Sequence, residues 1–284
     1  MPLPTPNPAV AQPSALAGDA AIDRVHQLLD RLQSLSDMLT LREDYEVRPL
    51  DYALPAGFKL SIVVPVYNEV RTIEQVLARL AALPVAKELI VVDDCSTDGT
   101  REALQRFESA AEMHVVFKPQ NEGKGAALRT GFRRATGAVV VVQDADLEYD
   151  PRDILTLLKP ILAGEADVVF GSRFLAADSQ DRSWVHRCGN GLLTWASNAT
   201  TGLRLTDMET CYKLFRRDVL QSFEIRQNRF GFEPEVTAKL ARRKFRIQEL
   251  PISYAARSYA EGKKIGIRDL FDALYCIVRY GLRD

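Results

Sequence analysis

Two aspartates separated by one alanine, Asp144-Ala145-Asp146, close the most apolar run of the chain, AVVVVQ (138–143), and Leu147 and Glu148 follow. Carboxylates this close offer hard oxygen ligands to a divalent cation such as Mg2+ or Mn2+. Such an ion would hold a diphosphate and neutralise the charge that grows on it as a leaving group. A D-x-D triplet in a surface loop is only a solvated acidic turn. At the end of a buried strand it carries much more weight.

Two further polar clusters follow strand-like runs. Pro65-Val66-Tyr67-Asn68-Glu69 closes LSIVVPV (60–66); Pro65 ends strand pairing, Tyr67 offers a ring for a base, and Glu69 can accept from ribose or base donors. Taken alone it is a polar loop. Asp93 to Thr100 follows ELIVVDD (88–94). There Asp98 or Thr97 can cap the next helix, a structural role. Asp93 or Asp94 can instead take ring N–H donors of uracil or guanine. Gly123-Lys124-Gly125 lacks the spacing of a P-loop and reads as a helix start that supports the nucleotide loop.

The elements that must position these groups alternate. Strand-like runs at 60–66, 88–94, 113–119, 138–146 and 166–173 are separated by helical patterns at 70–82, 99–110, 124–135 and 151–163. Continuous Val/Ile runs between amphipathic helices imply a mostly parallel sheet covered on both faces. Ligands of such sheets sit beyond the carboxyl ends of the strands, so one cleft should collect all the clusters. No G-x-G-x-x-G follows the first strand, which excludes a nicotinamide-dependent dehydrogenase. After Arg173 the rhythm breaks into a helix near 187–200, a strand Tyr212–Arg216, a helix Glu233–Arg243, a strand Ile247–Tyr254 and a helix Ile267–Tyr280. Residues 58–284 therefore read as one α/β domain, with a donor half at 58–173 and an acceptor half at 174–284. Residues 1–18, rich in Pro, Ala and Ser, are expected to be disordered. Residues 19–50 are expected to form a helix from Asp19, with Ile22, Val25, Leu29, Leu32 and Leu39 on one stripe. It would dock on the domain, or pair two copies as a short coiled coil and make a homodimer.

Among 284 residues, 37 basic side chains balance 38 acidic ones, so nucleic acid is not an expected partner. Four cysteines and three histidines lack zinc-site spacing, and reduced thiols are expected. The N-terminus has no secretory pattern, and no apolar run approaches the ~20 residues that span a bilayer. A cytoplasmic protein, soluble or peripheral at a membrane, is the expectation.

In this order, the three clusters resemble the family 2 glycosyltransferases of the GT-A fold, with particular likeness to the dolichyl-phosphate mannose synthase branch. The likeness runs from about Leu60 to Tyr280 and includes NEGKGAALRTG (121–131), GSRF (171–174), TDMETCYKLFRRDVL (206–220) and FGFEPEVTAKLARR (230–243). It extends to LPISYAARSYAEGKKIGIRD (250–269). The resemblance implies a nucleotide pocket lined by Pro65, Tyr67, Glu69 and Asp94, supported at Lys124. It implies metal and diphosphate held at Asp144 and Asp146, with UDP-sugar or GDP-mannose as donor and inversion at the sugar. Gln often stands in that branch where this chain has Glu148 and there helps bind metal, so Glu148 is the third candidate ligand and a departure that adds a negative charge. Arg173 matches a basic position at the acceptor side.

An alcohol acceptor needs a general base, for which Asp207 or Glu209 would be the candidates. A lipid phosphate brings its own oxyanion and needs cations instead. Arg173, Lys213, Arg257 and Lys263 supply them in this reading, with Asp207 as the partner that orients Lys213 or Arg173. A polyprenyl phosphate is therefore the expected acceptor, and a saccharide or small-molecule hydroxyl the alternative. A nucleotide-sugar-binding protein without turnover is the reading from another class. Leu270, Phe271, Leu274, Tyr275 and Val278 give the last helix an apolar face, which can pack on the domain or lie on a bilayer.

Overall fold

The computed structural model describes residues 45–107, 112–175, 184–256 and 267–282, together with Ser36. Residues 1–18, most of the expected helix over 19–50, and both Arg257 and Lys263 lie outside the described residues. From Tyr45 to Lys59 the chain has no helix. It is tied along the domain by side chains: the Tyr45 hydroxyl donates to Asp150, and the Tyr52 hydroxyl donates to the Leu155 carbonyl at 2.8 Å.

Seven strands form one sheet: β1 (Leu60–Val66), β2 (Lys87–Asp93), β3 (Met113–Phe117), β4 (Val139–Val142), β5 (Val168–Ser172), β6 (Lys213–Arg216) and β7 (Ile247–Pro251). Their order is β3-β2-β1-β4-β6-β5-β7. All pairings are parallel except those of β6, which runs antiparallel between β4 and β5. Every residue of β2 and β4, and all of β1 but Pro65, is buried, as continuous Val/Ile runs covered on both faces require.

The helices are α1 (Ile73–Ala81), α2 (Thr100–Gln105), α3 (Lys124–Phe132), α4 (Asp153–Leu162), α5 (Trp184–Thr201), α6 (Arg217–Gln221), α7 (Phe232–Arg242) and α8 (Ile267–Leu282). Helix α3 packs on β1 and β2, and α4 on β5 and β6. Helices α5, α7 and α8 pack on one another, with Gly281 of α8 against Thr200 of α5. Two boundaries differ from the sequence reading. Strand β4 stops at Val142; the Gln143 N–H still donates to the Val63 carbonyl at 3.0 Å, and the aspartates follow just beyond the sheet. Strand β7 stops at Pro251, and the Ile252 N–H just beyond it donates to the Ser172 carbonyl at 3.1 Å. The one-turn α6 directly after β6 has too few residues to show a period.

Candidate active site

The parallel register decides what meets in the cleft. Val66 lies opposite Asp93, and Val63 opposite Val142, so the loops after β1, β2 and β4 leave the sheet at one edge. The first two are laced together. Asn68 N–H donates to Ser96 Oγ at 2.9 Å, and Thr97 N–H returns to Asn68 Oδ1 at 2.8 Å. Asn68 adopts φ 55, a left-handed conformation its short polar side chain tolerates. Glu69 N–H donates to Thr100 Oγ1 at 3.0 Å, and Thr72 Oγ1 reaches the Ala145 carbonyl at 2.9 Å. Pro65, next to the end of β1, is half-buried, and Tyr67 just after the strand is 38% exposed at this edge. Asp98 accepts the Thr100 N–H at 3.1 Å and the Val70 N–H at 3.2 Å, so it orders the start of α2 and joins two loops.

Asp94 is at this edge but is not a free acceptor. Its carboxylate takes Lys118 Nζ at 2.6 Å, Gly123 N–H at 2.6 Å and Glu122 N–H at 3.1 Å. Four lone-pair sites are thus largely used by the chain itself, and Asp94 shapes the loop before α3 in place of the base-binding role expected for it.

Lys124, the first residue of α3, reaches Asp144 at 3.0 Å and Glu233, in the first turn of α7, at 3.2 Å. Burial works against its charge, but Asp144 and its acidic neighbours outweigh that and hold the ammonium well above the ordinary lysine range. Asp146 is buried, and its Oδ1 accepts the Glu148 N–H at 3.1 Å, which fixes the turn. Glu148 points elsewhere: its Oε2 accepts the Tyr254 hydroxyl at 3.1 Å. Among the described residues no group of three acidic, His or Cys side chains stands together as a metal cage. The three-carboxylate set expected from Asp144, Asp146 and Glu148 is therefore corrected to a pair of aspartates. Two carboxylates with oxygens from a diphosphate and water still suit Mg2+ or Mn2+, which rarely sits in an all-protein cage.

At the other end of the cleft stands Arg173, next after β5. Its Nε and Nη2 meet the Asp207 oxygens at 2.6 and 2.7 Å, a two-point ion pair, and its backbone N–H donates to Oδ2 at 3.1 Å. Asp207 is fully buried and also accepts Asn190 Nδ2 at 3.2 Å. Its own N–H and that of Thr206 are held by Glu249 at 2.9 and 2.7 Å. The guanidinium lies 5.2 Å from the Tyr254 ring centroid, so one tyrosine touches both Arg173 and Glu148.

A model of glycosyl transferase family 2 matches residues 61–223, more than half of the chain. The chain belongs to glycosyl transferase family 2. An undecaprenyl-phosphate mannosyltransferase of Micrococcus luteus is 30% identical over 231 residues, covering 78% of this chain and 93% of the relative. A dolichol-phosphate mannosyltransferase of Pyrococcus furiosus is 28% identical over 226 residues, 78% of this chain but 63% of the relative. An undecaprenyl-phosphate 4-deoxy-4-formamido-L-arabinose transferase of Pseudomonas fluorescens is 31% identical over 79% of this chain and 66% of its own length. A glucosyl-3-phosphoglycerate synthase from Mycobacterium tuberculosis superposes with a TM-score of 0.61 at 23% identity, covering 81% and 82% of the two chains. The fold is GT-A.

In this glycosyltransferase Lys213 does not serve the acceptor side. It is fully buried on β6, where Nζ donates to the Met208 and Thr210 carbonyls at 2.9 and 2.5 Å and lies 4.5 Å from the Phe170 ring centroid. Burial lowers its pKa, and its task is to tie down the loop that presents Asp207. Asp207, the candidate base for a hydroxyl acceptor, has its oxygens on Arg173 and Asn190, the arrangement of the other reading in which it orients Arg173. Sequence reasoning missed Glu233, Glu249 and Asn190 as site residues. Glu233 lay inside FGFEPEV, a segment quoted for its likeness, but nothing local told it from a helix N-terminal acid.

Gly125 shows how closely Lys124 is placed. A Cβ there would sit 2.3 Å from the Gln227 carbonyl oxygen, a backbone atom that cannot swing aside. Gly125→Ala is expected to destabilise the enzyme by about 1–3 kcal/mol through overpacking. A thermal melt equal to that of the parent would show that α3 has room to shift.

Proposed function

We propose that this enzyme moves a hexose from a UDP- or GDP-sugar to a polyprenyl phosphate, with inversion at the anomeric carbon and assisted by a divalent metal. An oxygen of the lipid phosphate attacks the anomeric carbon as its bond to the nucleoside diphosphate breaks. The observation that carries the acceptor is the far end of the cleft. It presents the Arg173 guanidinium, locked by buried Asp207, and among the described residues the carboxylates next to it, Asp207 and Glu249, are already engaged by hydrogen-bond donors. Burial, then the charge of Glu233, raises the proton affinity of Glu209 well above the usual carboxylate range. A phosphate monoester, already ionised, needs a cation to hold it and no base. The names of the relatives from Micrococcus, Pseudomonas and Pyrococcus support the same acceptor class.

At the donor end, Asp144 and Asp146 would hold Mg2+ or Mn2+, which neutralises charge on the departing diphosphate when bound. Structures of the mycobacterial fold neighbour in complex with Mn2+ and UDP support this reading. Lys124 adds a fixed cation beside Asp144, and Tyr67 and Glu69 stand where a base and ribose would lie.

No helix among the described residues is long and apolar enough to cross a membrane. Helix α8 buries Ala273, Cys276, Ile277 and Tyr280 against the domain and leaves Phe271, Tyr275, Val278 and Leu282 exposed one turn apart. Its neighbour α5 likewise exposes Leu192 and Trp195. Both readings of the last helix therefore have a face available, and we assign the exposed one to the bilayer surface that holds the lipid acceptor.

The test is a panel of UDP- and GDP-sugars with Mn2+, with and without undecaprenyl or dolichyl phosphate, products identified by mass. A glycosyl phosphoryl lipid is expected. Transfer only to a saccharide or small hydroxyl compound would sink the acceptor assignment.

A further inference from the structure

Among the described residues, four buried side-chain atoms have no hydrogen-bond partner: Asn190 Oδ1, Glu209 Oε1, Thr210 Oγ1 and Glu233 Oε2. Orphaned buried oxygens are uncommon and costly, and two of these belong to carboxyl groups. They are not scattered. Glu233 shares Lys124 with Asp144, so it stands beside the diphosphate end. Asn190 holds Asp207 through its amide nitrogen, so it stands beside the Arg173 end. Glu209 and Thr210 come from the loop between Asp207 and β6, which Lys213 pins through the Thr210 carbonyl. Glu209 feels the charges of both Glu233 and Arg173, so the orphaned carboxyl groups lie between the Asp144 end and Arg173.

In a direct displacement, the transferred sugar must occupy that interval. Its anomeric carbon is flanked by the leaving diphosphate on one side and the attacking phosphate oxygen on the other. A hexose presents several hydroxyl donors, and a carboxyl oxygen is the natural acceptor for them. We propose that Glu209 and Glu233 take hydroxyl groups of the transferred hexose and so set which sugar this enzyme accepts. Thr210 and Asn190 complete the same wall. The inference rests on the reading of the cleft as a nucleotide-sugar site, and adds the part that discriminates among sugars. A site built to hold a hydroxyl rejects the analogue that lacks it, because its own buried group is then left unpaired. The raised proton affinity of Glu209 fits this role, since a protonated carboxyl can both accept from and donate to a sugar hydroxyl.

The experiment measures Kd by calorimetry with Mn2+ present for UDP-glucose and GDP-mannose, for their 2-, 3-, 4- and 6-monodeoxy forms, and for UDP and GDP alone. Wild type, Glu209→Ala, Glu209→Gln and Glu233→Gln are compared. In the wild type, loss of the hydroxyl held by a carboxyl group is expected to weaken binding about tenfold or more. In Glu209→Ala the penalty at one ring position should vanish, while the bare nucleotide binds as before. Glu209→Gln keeps the side chain's size and one acceptor; should the alanine form not fold, a penalty reduced at that same position carries the point. Glu233→Gln should shrink the penalty at a different position. Deoxy penalties that stay the same at every position in all variants overturn the inference, and so does equal affinity for sugar nucleotide and bare nucleotide. Absence of any metal-dependent nucleotide binding would overturn the reading beneath it, and this inference with it.

Discussion

Asp146→Ala is expected to lower turnover by roughly a thousandfold or more, because a bound metal supplies several kcal/mol of charge stabilisation. It should also remove the dependence of nucleotide binding on Mn2+. The side chain is buried at the turn after β4, where one oxygen is held by the Glu148 N–H. Only Ala145 separates it from Asp144, so the two carboxylates come off the same turn. Glu148→Gln makes the contrast. Its carboxylate is bound to the Tyr254 hydroxyl, a bond that glutamine can keep, so kcat should change by only a few-fold. Steady-state kinetics with titrated Mn2+ checks both. Full activity in Asp146→Ala would refute the metal assignment, and a large loss in Glu148→Gln would return Glu148 to the ligand set.

The contrast between these two acids also shows what a linear sequence can carry. Asp144 and Asp146 were legible because a buried Val run and a polar break fall together there, and local pattern alone places both at a sheet edge. The same holds for Asn68, Glu69 and Asp98, whose loops follow Val/Ile strands that could hardly be anything else. Glu148 was misplaced because its partner, Tyr254, is far along the chain and comes close only through the pairing of Tyr149 with Tyr254. Asp94 went astray for a similar reason: Lys118, which occupies it, arrives through the β2–β3 register. Lys213 is the plainest case. A lysine in a strand next to a polar loop looks like a surface cation. Only the reversed direction of β6, between two strands that face away from solvent, shows that it is buried. Glu209 and Glu233 were invisible as a pair, since strand β6, helix α6 and the loops on either side separate them in sequence.

Arg173→Ala should damage two properties at once, and they can be separated. The guanidinium neutralises a fully exposed-to-nothing carboxylate: Asp207 is 0% exposed, and without Arg173 its remaining side-chain donor is Asn190 at 3.2 Å. Leaving a buried charge unpaired costs about 3–5 kcal/mol, so the variant should melt well below the parent. It should also lose about a hundredfold or more in kcat/KM for the lipid phosphate, the order expected when a charge-assisted contact to a reacting phosphate is removed, while nucleotide affinity holds. Adding Asp207→Asn removes the stranded charge. Arg173→Ala/Asp207→Asn is therefore expected to recover most of the lost Tm, since the two changes share one interaction and are not additive. Transfer should not recover with it, because the cation that meets the acceptor is still missing. If transfer returns along with stability, Arg173 acts only as the counterion of Asp207, and the acceptor phosphate must be held elsewhere. The single Asp207→Asn change separates the remaining alternative: a loss of chemistry with Tm and donor binding intact would mean that Asp207 works as a base despite its pairing, and that the acceptor is a hydroxyl.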